Sequence, residues 1–204
     1  MEGIIVMGKR MIMTIGREFG AEGHEIGKEL SERLRIPLYD KDLLYLAANQ
    51  SGMSIDTLAS ADEAVSNRFL SAYLPQSLDN YTLNDKLFKL QSNIIRDLSE
   101  KGSCVIIGRL ADYILKDDAD CIKVFIYAPF EDRVKIIKEK HGISEDAAKK
   151  QVKRMDKARK DYYSYYSKGK WNQKEGKDIL LNRAAFGIEG CVDILEAIAR
   201  KRME

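Results

Sequence analysis

The segment MIMTIGREFGAEGH, residues 11–24, decides the fold of this chain. Its first five residues are apolar apart from Thr14, and Gly16 ends the run, which predicts a short buried strand rather than a helix. Beyond the last glycine of the segment, apolar residues recur every four positions on one helix face, at Ile26, Leu30 and Leu34. The segment therefore predicts a strand, a glycine-rich loop (residues 16–24) and a helix.

The same alternation continues along the chain. Short apolar runs occur at 36–39, 104–107, 122–127 and 178–182, and helical patterns separate them. Parallel strands need a crossover connection, so strands that alternate with helices predict an α/β fold: a five-stranded parallel sheet flanked by helices. In such sheets ligands bind beyond the carboxyl ends of the strands. The sequence places Gly16-Arg17, Asp40, Gly108-Arg109 and Asn182-Arg183 at those ends.

Composition excludes several classes of protein. The 204 residues are 45% hydrophobic and 32% charged, which predicts one domain at 11–204 after a short N-terminal extension at 1–10. No apolar run approaches the roughly 20 residues that cross a membrane. With 34 Lys+Arg against 32 Asp+Glu, the chain lacks the basic surplus of a dedicated nucleic-acid coat. The three cysteines are too widely spaced to predict a disulfide framework or a Cys-x-x-Cys metal site. This use of cysteine indicates a cytoplasmic protein.

The glycine-rich loop has two interpretations when it is taken alone. Between a strand and a helix, backbone N–H groups and the helix N-terminus can bind phosphate, and glycine allows the positive φ angles that this requires. However, the strict pattern G-x-x-x-x-G-K-[ST] is absent, and His24 follows the last glycine. An ordinary strand-to-helix turn is the other interpretation.

Four segments together resemble the cytidylate kinase-like branch of the cytidylate kinase family. Residues 14–23 are similar to that branch's S-R-E-[FY]-G-S-G-G loop, and residues 37–44 to its [YF]-x-D-x-x-[IL] segment. Residues 105–109 are similar to its V-I-V-G-R strand end, and residues 153–159 to its arginine-rich lid helix. The four segments follow the family's order along nearly the whole chain, which makes the resemblance fairly specific.

The resemblance implies a nucleoside monophosphate kinase fold of the P-loop class, with a helical acceptor-binding insert at about 41–102 and a lid at about 144–172. It implies transfer of a phosphoryl group from ATP, with Mg²⁺, to a small-molecule nucleotide acceptor, CMP or dCMP by default. Asp40 and Arg109 would then face the acceptor, and Arg154 and Arg159 the transferring group. The residues expected to bind the donor are Gly16, Gly20, Ala21, Glu22, Gly23, His24 and Glu25.

The chain also departs from the cytidylate kinases proper. Gly23 stands where the phosphate-binding lysine would be, and Ile107 where an acidic residue would precede the Gly-Arg pair. No serine or threonine follows Gly23, so the sequence does not identify the ligands of Mg²⁺. Either Arg17 or another cation replaces the lysine as a catalytic residue, or the chain is a catalytically silent nucleotide-binding or regulatory protein on the same fold.

The lid region allows other interpretations. Arg154 and Arg159 lie about 140° apart on a helix, from about 100° per residue, so they could reach different phosphates or form part of a solvated face. Residues 149–171 combine lysines with four tyrosines and Trp171, which is typical of a stacking platform for single-stranded nucleic acid. We favour a hinge that seats the lid, because the net charge is near neutral. The oligomeric state is not indicated by the sequence.

Arg109 and Asp40 differ in how strongly they indicate a ligand. Arg109 follows a buried strand directly and needs an anionic partner in the protein or in a ligand. Asp40 is explained equally well as the N-cap of a following helix.

Overall fold

The computed structural model describes residues 9–40, 78–169 and 171–204, and for 78–84 it describes the backbone alone. Five parallel strands form one sheet in the order β2-β3-β1-β4-β5. They are β1 (Ile12–Arg17), β2 (Leu38–Tyr39), β3 (Cys104–Ile107), β4 (Cys121–Tyr127) and β5 (Ile179–Asn182). The predicted α/β fold with a five-stranded parallel sheet is confirmed.

Helices cover both faces of this sheet. Within the described residues, the helices are α1 (Gly23–Leu34), α2 (Leu78–Lys101), α3 (Ala111–Ile114), α4 (Phe130–His141), α5 (Glu145–Ser167) and α6 (Arg183–Met203). Ile15 and Ile107 pack against α1 and α6 on one face, and Ile12 and Ile106 pack against α2 and α3 on the other.

The strand order places the carboxyl end of β1 at the centre of one edge. β1 lies between β3 and β4. The chain crosses from β1 past β3 to β2, and from β3 past β1 to β4, so it leaves these two neighbouring strands in opposite directions. Such a switch point forms the ligand-binding crevice of open α/β sheets. The glycine-rich loop therefore begins at the position where a ligand is expected.

Several boundaries differ from the sequence-based expectation. The second strand is confined to Leu38–Tyr39 rather than 36–39, because Pro37 has no N–H to donate. The sequence predicts a last helix over about 187–202. α6 starts with a short helical turn at Arg183, where the Asn182 side chain accepts a hydrogen bond from Ala184 N, but Gly187 has non-helical backbone (φ 68°), so continuous helix begins close to the expected position. The sequence predicts a helix from Ser144 to about Tyr162, and α5 continues five residues beyond that expected end, to Ser167.

Some expectations fall on parts of the chain that are not described. Most of the predicted N-terminal extension, residues 1–8, lies outside the described residues, and so do residues 41–77 of the predicted insert. The helix that Asp40 was expected to cap lies there too. Of the helices in the described ranges, none is both long and apolar enough to cross a membrane.

Candidate active site

The glycines of the loop allow close packing against two arginines. Gly20 has φ +84°, and a Cβ there would lie 2.9 Å from the Arg133 carbonyl oxygen. Gly23 opens α1, and a Cβ there would lie 2.7 Å from the Arg17 Cβ. Larger residues at either position would push the loop away from Arg133 or Arg17.

A buried cluster of one arginine and two acids clamps the loop. Arg133 Nη1 donates to the Phe19 carbonyl (3.0 Å) and to the Asp156 carboxylate (2.5 Å), which itself accepts from Phe19 N (2.8 Å). The carboxylate of Glu18 lies 3.2 Å from Arg133 Nε and accepts from Ala128 N. Burial raises the pKa of Glu18, and the nearby Arg133 opposes that rise. Helices α4 and α5 thus fix the loop, and the Phe19 N–H points at Asp156.

Three of the predicted site residues converge beside this clamped loop: Arg17, Arg109 and Arg159. They line one small cavity of about 60 Å³. The Arg17 guanidinium lies so close over Gly108 that a Cβ there would overlap its Nη1. Arg159 Nη1 donates to the Arg17 carbonyl at 3.0 Å, and its guanidinium lies 5.4 Å from the centroid of the Phe19 ring.

The chain bends sharply after β3 to deliver Arg109 to this cavity. Gly108, Arg109 and Leu110 adopt φ angles of 68°, 55° and 53° in succession. Left-handed backbone at a residue other than glycine costs free energy, and such strain concentrates at functional sites. The bend directs the residue after a buried strand to the sheet edge, where Arg17 and Arg159 also lie.

Electrostatics in this cavity favour an anion. Burial, assisted by the charge of Arg17, lowers the pKa of Arg159 to about 9. Burial also lowers the pKa of Arg17, with Asp40 opposing and Arg109 contributing to the decrease. Burial disfavours the charged form of these arginines, and a bound anion would favour it again.

A neighbouring cavity of about 400 Å³ lies against the loop itself. Asp40 Oδ2 lies 2.8 Å from His24 Nδ1, and Asp40 Oδ1 lies 3.9 Å from Arg17 Nη2. The Glu25 carboxylate accepts a 2.5 Å hydrogen bond from Lys140, and that pairing lowers its pKa although burial opposes it. Of the residues predicted to bind the donor, this cavity is lined by Gly20, Glu22, Gly23, His24 and Glu25.

The remaining predicted residues lie elsewhere. Ala21 is fully buried beneath the loop, and Gly16 lines the smaller cavity with the arginines. Arg154 is exposed on α5 and lines neither cavity, whereas Arg159, five residues later on another face, lies in both. A larger cavity of about 860 Å³ at the amino ends of β4 and β5 contains none of the predicted residues.

Two tyrosines at the end of α5, Tyr162 and Tyr166, pack against α2, whereas Tyr165 is exposed. The Phe88 ring of α2 stacks on Tyr166 at 4.0 Å between centroids and meets Tyr162 edge-on at 6.5 Å. Tyr166 also donates a hydrogen bond to Asp85 at 3.1 Å. These contacts favour a seat for α5 on α2 over a platform for nucleic-acid bases.

Known proteins resemble this chain in sequence. The chain matches the sequence profile of the cytidylate kinase-like family over residues 12–185. It is 25% identical to a cytidylate kinase of Methanobrevibacter smithii over 186 residues, which cover 91% of this chain and 96% of that protein.

Solved structures share the same fold. An uncharacterized protein from Eubacterium ventriosum ATCC 27560 is 30% identical, with a TM-score of 0.71 over 94% of this chain and 99% of that one. A shikimate kinase from Bacteroides thetaiotaomicron has a TM-score of 0.55 at 13% identity, over 94% of this chain and 99% of that one. With a matching sequence profile and the fold of P-loop kinases, the chain belongs to the cytidylate kinase-like family.

Proposed function

We propose that the protein transfers the γ-phosphoryl group of ATP to a nucleoside monophosphate, with CMP or dCMP as the acceptor. The observation that carries this proposal is the convergence of Arg17, Arg109 and Arg159 beside a glycine-rich loop at the carboxyl edge of the sheet. Phosphoryl transfer asks the protein for alignment and positive charge rather than covalent chemistry. Guanidinium groups supply positive charge at neutral pH and paired hydrogen bonds to phosphate oxygens.

The loop and the first turn of α1 bind the donor phosphates in this proposal. Ile26 N donates to the Glu22 carbonyl at 3.0 Å, so the amides of Gly23, His24 and Glu25 precede the first intrahelical bond. N–H groups at a helix start lack intrahelical partners and favour anions. They face the same cavity as Arg17 and Arg159.

Arg17 takes the place of the missing loop lysine. It belongs to the loop's own strand, and its guanidinium reaches across Gly108 toward Arg109. Arg159 is held on the Arg17 carbonyl, so its charge is in place before any ligand arrives. Because neither group must reorganise during the reaction, both can stabilise the charge that develops on the transferring phosphoryl group.

Magnesium, bound together with ATP, supplies charge neutralisation on the phosphates. Among the residues that the structure describes, no three His, Cys, Asp or Glu side chains are grouped to hold a metal ion. However, Mg²⁺ in phosphate-transfer sites is commonly held by one or two carboxylates, water and the substrate phosphates. Asp40, which the resemblance assigns to the acceptor side, would also fit that role, since it lines the loop cavity and its carboxylate contacts His24.

The alternative is a nucleotide-binding protein without catalysis, motivated by the missing lysine. A coupled assay of ADP release with a panel of nucleoside monophosphates separates the two functions. We expect release that depends on the acceptor and is fastest with CMP or dCMP. Intact ATP binding without stimulation by any acceptor would establish the silent alternative.

The expected partners and location complete the proposal. A small nucleotide is the expected partner, and the packing of Tyr162 and Tyr166 on Phe88 supports that choice over nucleic acid. We place the protein in the cytoplasm, a proposal supported by Cys104, Cys121 and Cys191, which are all buried and unpaired.

The pH dependence of catalysis tests the role of Arg159. Its pKa is lowered to about 9, so its positive charge is lost as the pH rises through that value. We expect kcat/KM to be level around neutral pH and to fall above pH about 9, while kcat falls at higher pH because bound phosphate raises the pKa. Steady-state kinetics with coupling enzymes in excess at every pH check this. A kcat/KM profile that stays level well beyond this range would show that Arg159 keeps its charge there and would contradict the lowered pKa.

A further inference from the structure

A second buried ionic cluster lies next to the three arginines. Lys177, from the segment before β5, has a side chain that is 1% exposed, and its Nζ contacts the carboxylate of Asp112 from α3. The hydroxyl of Tyr163, on α5, donates a hydrogen bond to Asp112 Oδ2 at 3.0 Å. The same hydroxyl oxygen accepts from Lys177 Nζ at 3.1 Å. These three residues form the Asp112 cluster.

The Asp112 cluster needs a reason beyond stability. Removing two opposite charges from water often costs more free energy than their attraction regains. Apolar side chains of similar volume therefore frequently stabilise a fold as well or better. The cluster also shares its location with the site, since all three of its members line the 60 Å³ cavity together with Arg17, Arg109 and Arg159.

Charge in the cavity indicates what the cluster does. Among the described residues that line the cavity, Asp112 is the one acid, against three arginines and Lys177. A carboxylate beside guanidinium groups forms strong paired hydrogen bonds with them. Such a bond would neutralise an arginine that a phosphate must meet. Instead, Asp112 Oδ2 accepts from both Tyr163 and Lys177.

We propose that Lys177 and Tyr163 are positioning residues, which hold the Asp112 carboxylate away from the arginines that meet a phosphate group in this cavity. The identity of the anion as the acceptor's phosphate rests on the proposed function. The volume of 60 Å³ equals the liquid volume of about two waters, which suits a single phosphate group and excludes a nucleoside.

Inorganic phosphate is the probe for this site, with binding measured by calorimetry in the absence of ATP. We expect Lys177→Met to weaken phosphate binding by roughly tenfold or more, because the released Asp112 carboxylate pairs with an arginine. The double variant Asp112→Asn with Lys177→Met removes the competing charge, so we expect it to bind phosphate nearly as well as the wild type. Lys174→Met, at an exposed lysine of the same segment, is the matched control.

The double variant separates positioning from other roles. If it folds, by circular dichroism, yet stays as weak as Lys177→Met, then Lys177 binds the anion itself or acts only structurally, and the proposal is wrong. Unchanged phosphate binding in Lys177→Met would also overturn it. Tyr163→Phe should weaken binding in the same direction, because Asp112 loses one of its two donors.

This experiment is independent of turnover. Phosphate binding that follows the expected pattern, in a protein that phosphorylates no acceptor, supports the inference and refutes the proposed function. If the protein phosphorylates an acceptor but Lys177→Met binds phosphate as well as the wild type, the inference is refuted and the proposed function stands.

Discussion

Replacement of Arg17 by alanine is expected to lower kcat for phosphoryl transfer by roughly 10³-fold, the scale on which positioned cations act in such reactions. The Arg17 guanidinium fills the space over Gly108. It is the cation that we propose as the replacement for the loop lysine. Arg17→Lys should recover part of the loss, since it restores the charge without the planar fork. The measurement is kcat at saturating ATP and acceptor.

A surface arginine provides the control for Arg17. The side chain of Arg200 on α6 is 57% exposed and pairs with Glu196, and exposed pairs of this kind contribute little to stability. We expect Arg200→Ala to keep the wild-type rate. A rate for Arg17→Ala close to that of Arg200→Ala would show that another group does the work of the lysine.

Gly108→Ala is expected to remove most of the activity without touching a charged residue. The new Cβ would overlap Arg17 Nη1, and the φ of +68° strains any L side chain. We expect kcat to fall by roughly 10²-fold, as for the loss of one positioned donor, and the free energy of unfolding by about 1–3 kcal/mol. Turnover and urea unfolding, measured on the same preparation, report the two effects.

Gly142→Ala separates these two effects. Gly142 ends α4 with φ +62°, nearly the same backbone conformation, but no heavy atom lies within 4 Å of a Cβ built there. The variant should lose stability like Gly108→Ala and keep its activity. Equal loss of activity in both variants would show that backbone strain, and not displacement of Arg17, lowers the rate.

The parts of the site that sequence predicted are those next to strand ends. Arg17 and Arg109 each follow an apolar run and one glycine. Parallel strands bring their carboxyl ends to one edge, so the local sequence pattern was sufficient to predict that these two arginines lie there. Arg159 came from the family's lid motif. Arg154 came from the same motif, yet it is exposed and lines neither cavity of the site, because five residues rotate the helix by about 140°.

The clamp and the Asp112 cluster could not be predicted in the same way. Their members belong to elements far apart in sequence, and their contacts exist only once α5 packs on the loop. One signal was present: Arg133 shares the spacing of Phe130, Val134 and Ile137, so a charged residue stood on an apolar helix face. Lys177 and Asp112 have no such signal.

The length of α5 has the same tertiary origin. Asp156, Arg159, Tyr163 and Tyr166 follow one another at intervals of three and four residues, so they share one helix face. Each makes a hydrogen bond to another element, through the loop, Asp112 or Asp85. Those hydrogen bonds stabilise the helix beyond Tyr162, where the sequence pattern predicted its end.

The most direct test of the central claim is phosphorus NMR of the wild-type protein with ATP, Mg²⁺ and CMP. If the arginines support transfer without the loop lysine, CDP and ADP appear in equal amounts, and Arg17→Ala slows both. If the protein binds both nucleotides and CDP never forms, the chain is not the kinase that we propose.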